Sequence, residues 1–185
     1  MTRPDNFVLI GMPGIGKSTL GIVLAKILGM DFVDTDLLVQ RAGGAALDDL
    51  LRRLGSQRFC DLEGEVLASL DVHDTIVSTG GSAVYSDAAM RHLASIGTIV
   101  YLWGSLDEVS RRLGGLDSRG VVRRDGDAMT VADLYAERTP LYERYADVTY
   151  AVKSGFVRDD AERLAKILRT EGDDDRLTRT TRRRG

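Results

Sequence analysis

Short apolar runs alternate with longer segments of helical periodicity along most of the chain. The apolar run at residues 7–10 is followed by a glycine-rich segment and then, at residues 17–28, by apolar side chains spaced three and four apart. The other predicted strands are residues 31–33, 75–78, 97–102 and 147–152. The other predicted helices are residues 46–54, 60–70, 105–113, 130–145 and 159–169. This alternation predicts an α/β fold with a parallel sheet covered by helices on both faces.

Two segments depart from the alternation. Residues 114–127 carry four glycines and little apolar periodicity, which is typical of a mobile loop. Its arginines, Arg119, Arg123 and Arg124, suit a lid over phosphates, and a solvated surface loop is the alternative. The charged segment 172–185 is almost free of apolar residues, so disorder is expected there. The predicted organisation is one domain at residues 1–171 and a charged tail.

Composition narrows the class of protein. A chain of 185 residues, 43% of them hydrophobic, suits one compact domain. A net charge of −3 argues against nucleic acid as a partner. No apolar stretch is long enough to span a membrane, and the single cysteine excludes an internal disulfide. We expect a cytoplasmic, monomeric protein that acts on a small molecule.

The sequence GMPGIGKST at residues 11–19 fits the phosphate-binding pattern G-x-x-x-x-G-K-[ST]. It follows a predicted strand and opens a predicted helix, which is the context in which this pattern is meaningful. The glycines let backbone N–H groups turn toward phosphates, Lys17 reaches the terminal phosphates and Ser18 can bind Mg²⁺. The alternative, a plain glycine turn, requires neither the lysine nor the serine. The pattern therefore predicts a site for ATP and Mg²⁺.

Asp34 and Asp36 follow the second predicted strand, in the sequence DFVDTD. Residues two apart on a strand share a face, so both carboxylates are expected to point into one cleft beside the P-loop. One can hold the hydration shell of Mg²⁺ while the other orients or deprotonates a hydroxyl. The alternative is an acidic strand end that caps the next helix.

The motifs GMPGIGKSTLG, FVDTD, IVSTGG and ERTPLYERYA occur in the order and at roughly the spacing seen in shikimate kinases. The chain resembles that family over about residues 6–170. The resemblance implies a nucleoside-monophosphate-kinase-like fold: three layers, α/β/α, with a central parallel sheet and a mobile lid. It implies transfer of the γ-phosphate of ATP to a hydroxyl of shikimate with Mg²⁺, a step of aromatic amino acid biosynthesis in the cytoplasm.

The resemblance also implies a role for individual residues. Lys17, Asp36 and Arg119 would be catalytic, with Asp36 the candidate base, Arg119 the lid arginine, and Ser18 and Asp34 at the metal. The implied nucleotide site comprises Gly14, Ile15, Gly16, Lys17, Ser18, Thr19, Arg112 and Arg119. The implied substrate site comprises Asp36, Phe59, Cys60, Glu63, Gly80, Gly81, Ser82 and Arg138.

Two positions depart from the family pattern. Cys60 stands where shikimate kinases usually have an arginine that joins Arg138 on the substrate carboxylate, and Ser82 stands where a third glycine is usual. A charge-assisted hydrogen bond contributes roughly 1.5–3 kcal/mol, so the loss would weaken carboxylate binding by about one to two orders of magnitude. Arg58 should face away from the Cys60 direction on a helix. Cys60 itself is expected to act as a small apolar residue rather than as a nucleophile or metal ligand.

Three functions stay open at this point. Shikimate is the first expectation for the acceptor. Another hydroxy metabolite is the second, either a hydroxy amino acid such as threonine or homoserine, which would suit the loss of positive charge, or a sugar acid. The third is a module that binds a nucleotide without turnover; a substrate-side carboxylate beside the phosphates argues against it.

Overall fold

A single parallel sheet organises the chain. The computed structural model describes residues 5–113, 130–153 and 155–182, and within them five strands pair in the order β2-β3-β1-β4-β5. The strands are β1 (Asn6–Ile10), β2 (Asp31–Asp34), β3 (Thr75–Ser78), β4 (Gly97–Trp103) and β5 (Val148–Ala151). All five lie within two residues of the predicted strands. The predicted lid at residues 114–127, with Arg119, lies outside the described residues.

The described residues also form seven α-helices and a short 3-10 helix (Ala83–Tyr85). The helices are α1 (Lys17–Leu28), α2 (Thr35–Gly43), α3 (Leu47–Ala68), α4 (Asp87–Ile96), α5 (Leu106–Leu113), α6 (Val131–Tyr145) and α7 (Val157–Arg182). Helix α1 begins and ends as predicted. Helices α2 and α4 were not predicted, although α4 buries Ala89, Met90 and Leu93 at helical spacing.

Helix α3 joins two segments that the periodicity predicts as separate helices. They meet at a kink where Gly55 has φ 72° and ψ 169°, a conformation that is strained for residues with a Cβ. The helix therefore bends between the two predicted segments, but no loop separates them. The segment after the kink carries Phe59, Cys60 and Glu63.

The last helix differs from the expectation of disorder. Helix α7 continues to Arg182. It therefore includes most of the charged segment 172–185, for which the composition predicts disorder. That segment contains no proline, so no backbone donor is missing from a continuous helix.

Layers of helices cover both faces of the sheet. Val8, Leu9 and Ile10 are successive residues of β1, and each is 0% exposed. Because successive side chains of a strand point to opposite faces, both faces must be covered. Helix α1 packs against α7, and α3 packs against α4. The predicted α/β/α arrangement is confirmed.

One polar side chain holds the starts of the central strands together. Asn6 Nδ2 donates hydrogen bonds to Val72 O and Ile96 O, at 2.8 Å each, and its Oδ1 accepts from Thr75 N at 3.0 Å. These bonds fix the beginnings of β1, β3 and β4, so that their carboxyl ends meet at one edge. Among the described residues, every helix is too short or too polar to serve as a membrane-spanning segment.

Candidate active site

The phosphate-binding loop leaves the central strand β1 and enters α1. Gly11 has φ +143°, and a Cβ there would lie 2.6 Å from Leu102 O of β4. Gly16, the residue before α1, has φ +106°. Only glycine adopts such conformations at little cost, so both positions require it. The loop consequently lies against the end of β4 with the N-terminus of α1 at its other end, where the helix dipole favours phosphate.

Lys17 lies folded over this loop. Its Nζ donates to Gly11 O at 2.8 Å and to Met12 O at 3.0 Å, and the side chain is buried. Burial lowers the pKa of Lys17 to about 8, and the carboxylate of Asp36 partly offsets this effect. The ammonium therefore stands at the phosphate loop in an environment where a phosphate charge would stabilise it strongly.

Asp34 and Asp36 do not share a strand face, so that prediction is wrong. Asp34 ends β2, and Asp36 lies in the first turn of α2. Asp34 Oδ1 accepts the backbone N–H of Asp36 at 3.0 Å, and this helix cap is the reason why the chain turns away directly after Asp34. The hydrogen bond keeps the two residues close together, and burial and then the charge of Asp34 raise the pKa of Asp36.

The residues expected to hold Mg²⁺ fit that ion. Ser18 Oγ lies 3.2 Å from Ser78 Oγ, at the end of β3 and next to the loop. Asp34 is the register partner of Ser78 in the adjacent strand. Mg²⁺ is usually held by one or two carboxylates together with substrate phosphates and water, so the Ser18 hydroxyl and the Asp34 carboxylate are a suitable donor set. The site does not need an all-protein cage, and no cluster of three or more His, Cys, Asp or Glu side chains occurs among the described residues.

One cavity of about 310 Å³ joins the phosphate loop to the expected substrate residues. The predicted residues that line it are Gly14, Gly16, Lys17, Ser18, Thr19, Asp36, Phe59, Glu63, Gly80, Gly81, Ser82 and Arg138. Sequence reasoning missed Pro13, Leu47 and Thr79. Pro13 lies within the GMPGIGKST motif and Thr79 within IVSTGG, so their position gave a signal, whereas Leu47 reaches the cavity only through the fold.

Of the predicted site residues that the structure describes, four do not line this cavity: Ile15, Asp34, Cys60 and Arg112. The side chain of Ile15 is 1% exposed and packs in the core, so only its backbone can contribute to the loop. Arg112 donates to Ile15 O at 3.0 Å and pairs with Glu108. It therefore lies beside the phosphate loop, where the expected contact with adenine stays a prediction.

Glu63 is the second carboxyl of the cavity. It is 2% exposed, and burial raises its pKa to about 7, while a hydrogen bond with Ser82 acts in the opposite direction. A Cβ on Gly80 would lie 2.2 Å from Glu63 Oε1 and 2.9 Å from Asp36 Oδ1. Gly80 thus separates the two carboxyl groups without space for a side chain. Ser82 supplies Glu63 with a neutral partner.

Cys60 lies one turn before Glu63 and is half-buried against the apolar cluster of Val39, Leu50 and Phe59. Burial raises the pKa of its thiol to about 11, and the nearby Glu63 adds to the rise. A thiol that stays protonated near neutral pH is a poor nucleophile and a poor metal ligand. The packing therefore agrees with the expectation of a small apolar residue.

Arg138 provides the positive charge on the acceptor side of the cavity. It projects from α6, is 1% exposed, and its Nε donates to Tyr85 Oη at 2.9 Å. Tyr142, one turn later on α6, donates to Gly81 O at 2.7 Å. A Cβ on Gly81 would lie 3.0 Å from an Arg138 Nη atom. The glycine therefore makes room for the guanidinium at the cavity wall.

A phosphate loop at the central strand, a buried lysine over it and an adjoining acceptor cavity with two carboxyls and an arginine define a P-loop kinase of small molecules. The shikimate kinase family model matches residues 13–169. The chain is 42% identical to the shikimate kinase of Mycobacterium avium over 142 residues, which cover 76% of this chain and 80% of that one. It is 36% identical to the Corynebacterium efficiens enzyme over 174 residues, 94% and 100% of the two chains.

A solved structure agrees with these relatives. The Acinetobacter baumannii shikimate kinase in complex with shikimate superposes with a TM-score of 0.80 at 28% identity, covering 90% of this chain and 94% of that one. The chain belongs to the shikimate kinase family, and it is an ATP-dependent kinase.

Proposed function

We propose that the protein transfers the γ-phosphate of ATP to a hydroxyl of shikimate. The observation that carries the proposal is the shared cavity: Lys17 and Ser18 of the phosphate loop line the same space as Asp36 and Arg138. A donor phosphate and an acceptor hydroxyl can meet there because the two parts of the cavity are continuous. The relatives' names and the bound shikimate of the Acinetobacter baumannii enzyme support the choice of acceptor.

Phosphoryl transfer needs positioning and charge stabilisation more than covalent chemistry. Lys17 would bind the terminal phosphates from the loop, and the backbone N–H groups before α1 would hold the chain of phosphates. Mg²⁺, held by Ser18 and associated with Asp34, would neutralise phosphate charge when bound. Arg119 would add a further cation from the lid.

The acceptor would be held from three sides. Arg138 would bind the shikimate carboxylate, and the backbone at Gly80 and Gly81 would approach the ring closely because neither residue has a side chain. Asp36 would accept a hydrogen bond from the reacting hydroxyl and take its proton. Burial and Asp34 raise the pKa of Asp36, and a more basic carboxylate is a better proton acceptor.

The test is ADP release with and without shikimate, measured on the full chain with ATP and Mg²⁺. We expect shikimate to stimulate release and Asp36→Asn to abolish the stimulation, while ATP binding remains because Asp36 lies on the acceptor side. Tyr145→Phe, on α6 but away from the cavity, is the control and should be fully active. Tight ATP binding with no acceptor-stimulated release would refute the kinase function.

A second acceptor class has a specific observation in its favour. The acceptor side of the cavity is lined by Asp36 and Glu63 and by the cation Arg138, and Cys60 does not line it. Such a balance also suits an ammonium beside a carboxylate, as in threonine or homoserine, and a sugar acid needs only the arginine. A panel of hydroxy acids, amino acids and polyols run beside shikimate decides between them.

Cys60→Arg sharpens this comparison. If the variant raises activity on shikimate sharply from near zero, the natural acceptor is another compound. If it changes nothing, another group already does the work of the arginine. We further propose a cytoplasmic, monomeric enzyme; sedimentation with and without substrates would test the oligomeric state.

A further inference from the structure

Tyr85 makes a set of contacts that the proposed reaction does not use. It ends the 3-10 helix that follows Gly80, Gly81 and Ser82, and it reaches α6, where Arg138 and Glu137 are neighbours in sequence. Its oxygen accepts from Arg138 Nε at 2.9 Å and donates to Glu137 Oε1 at 3.0 Å. The Arg138 guanidinium carbon also lies 5.0 Å from the centre of the Tyr85 ring.

The direction of these two hydrogen bonds affects the charge on Arg138. The guanidinium donates a hydrogen bond to a neutral phenol, and the phenol O–H in turn donates a hydrogen bond to the carboxylate of Glu137. Burial raises the pKa of Tyr85, so the phenol stays protonated and can donate. A neutral contact orients the guanidinium without cancelling its charge as a direct contact at Nε with a carboxylate would.

The geometry also determines which part of Arg138 faces the cavity. Tyr85 occupies the Nε edge, and Arg138 Nη1 lies against Gly81, whose missing Cβ leaves the space. A guanidinium presents its donors in a fixed planar fork. Holding its Nε edge therefore also fixes the Nη donors, which are the atoms beside Gly81 at the cavity wall.

We propose that Tyr85 is a positioning residue that holds the Arg138 fork toward the acceptor cavity and so determines the affinity for substrates that carry a carboxylate. The inference rests on the proposed function for the identity of the acceptor. It extends that function by assigning part of the carboxylate selectivity to a residue of the 3-10 helix that does not line the cavity. Tyr85 acts through Arg138 and touches no reacting atom.

Tyr85→Phe isolates the hydrogen bond, because the ring that lies over the guanidinium remains. We expect the KM for shikimate to rise about tenfold or more, as for loss of a hydrogen bond to a charged group, with kcat and the KM for ATP within about twofold of wild type. Tyr85→Leu, which also removes the ring, should raise the KM further. Glu137→Gln keeps an acceptor for the phenol and should have a smaller effect than Tyr85→Phe.

Two further measurements distinguish positioning of Arg138 from a general effect of Tyr85 on the fold. In an Arg138→Lys background, which has no Nε–H, adding Tyr85→Phe should change the KM for shikimate less than twofold. Tyr145→Phe is the matched control, because Tyr145 Oη also donates to a carboxylate, Asp87 Oδ1 at 2.7 Å, from the same helix α6. It should leave both KM values unchanged.

The contact itself can be observed without any substrate. In ¹⁵N-labelled protein, the Arg138 Nε–H signal is identified by its loss in Arg138→Lys. Its exchange with water should be slow in wild type and in Tyr145→Phe, and about tenfold or more faster in Tyr85→Phe. Unchanged exchange in Tyr85→Phe would overturn the inference.

The outcomes distinguish the two proposals. If wild type does not phosphorylate shikimate, the proposed acceptor fails, and the exchange measurement together with the KM for whichever carboxylate acceptor the panel identifies decides the role of Tyr85. If shikimate is phosphorylated but Tyr85→Phe leaves its KM unchanged, or lowers kcat and ATP affinity alike, the role of Tyr85 is refuted and the kinase function stands.

Discussion

Gly80 is the position where a single added methyl group should separate acceptor use from ATP use. A Cβ on Gly80 would lie 2.2 Å from Glu63 Oε1 and 2.9 Å from Asp36 Oδ1. Non-bonded heavy atoms need about 3.5 Å, so Gly80→Ala must displace the Glu63 carboxyl by roughly 1 Å and that of Asp36 by about half as much. Glu63 is 2% exposed, which leaves it little space to move.

Two effects follow from this displacement. A misplacement of about 1 Å in the groups that surround the acceptor can lower the rate about 100-fold, so the kcat/KM for the acceptor should fall by up to about that factor. Overpacking a buried site costs about 1–3 kcal/mol of stability, so thermal unfolding should shift to lower temperature. The KM for ATP should change little, because the displaced groups face the acceptor.

The assay is steady-state ADP release with varied shikimate and then varied ATP, beside a thermal melt. Gly155→Ala is the control, since a Cβ at Gly155 meets no atom within 4 Å. Combining Gly80→Ala with Glu63→Asp, which shortens the obstructing side chain, should recover part of the lost stability. An alanine variant with acceptor kcat/KM within threefold of wild type would show that the two carboxyl positions do not matter to the reaction.

Three further predictions concern the titratable groups of the site. Burial raises the pKa of Glu63 to about 7 from its ordinary 4.5; the folded state holds this proton more tightly, so stability falls as pH rises through this range. Glu63→Gln should remove about 3 kcal/mol of that fall, measured by denaturant unfolding at pH 5 and pH 8, and equal pH slopes would contradict the burial argument. Since the pKa of Lys17 is lowered to about 8, ATP binding at pH 8 should take up a fraction of a proton, seen by calorimetry in buffers of different ionisation enthalpy and absent in Lys17→Met. Because the pKa of the Cys60 thiol is raised to about 11, its alkylation at pH 8 should be on the order of 100-fold slower than that of a free thiol, and a rate near that of glutathione would refute its burial.

Local spacing made the phosphate half of the site predictable. The glycines, Lys17 and Ser18 lie within one short segment, and the run from β1 through α1 follows from apolar periodicity alone. Asp36 was identified as an acid of the site, but it was expected to share a strand face with Asp34. The side chain of Asp34 caps a helix there, which the sequence offered only as the alternative interpretation.

The acceptor half depends on contacts between distant parts of the chain. Gly80 meets Glu63 of α3, and Tyr85 meets Arg138 of α6. The family resemblance identified Gly80, Glu63 and Arg138 individually, but nothing local in sequence indicates which carboxyl crowds which glycine. Tyr85 was missed altogether, since its role comes from a hydrogen bond that only the packed fold brings about.

The central place of β1 has a consequence for how such enzymes diverge. The ATP-binding loop follows β1, the middle strand of the sheet, and Gly11 lets it lie close to Leu102 of the adjacent strand. The acceptor pocket is assembled from separate outer segments: α3, the turn after β3, and α6. A lineage can therefore exchange one acceptor segment at a time while it inherits the ATP-binding half unchanged. Positions 60 and 82 lie in two of these segments, α3 and the turn after β3, so a substitution at either leaves the ATP-binding loop unchanged.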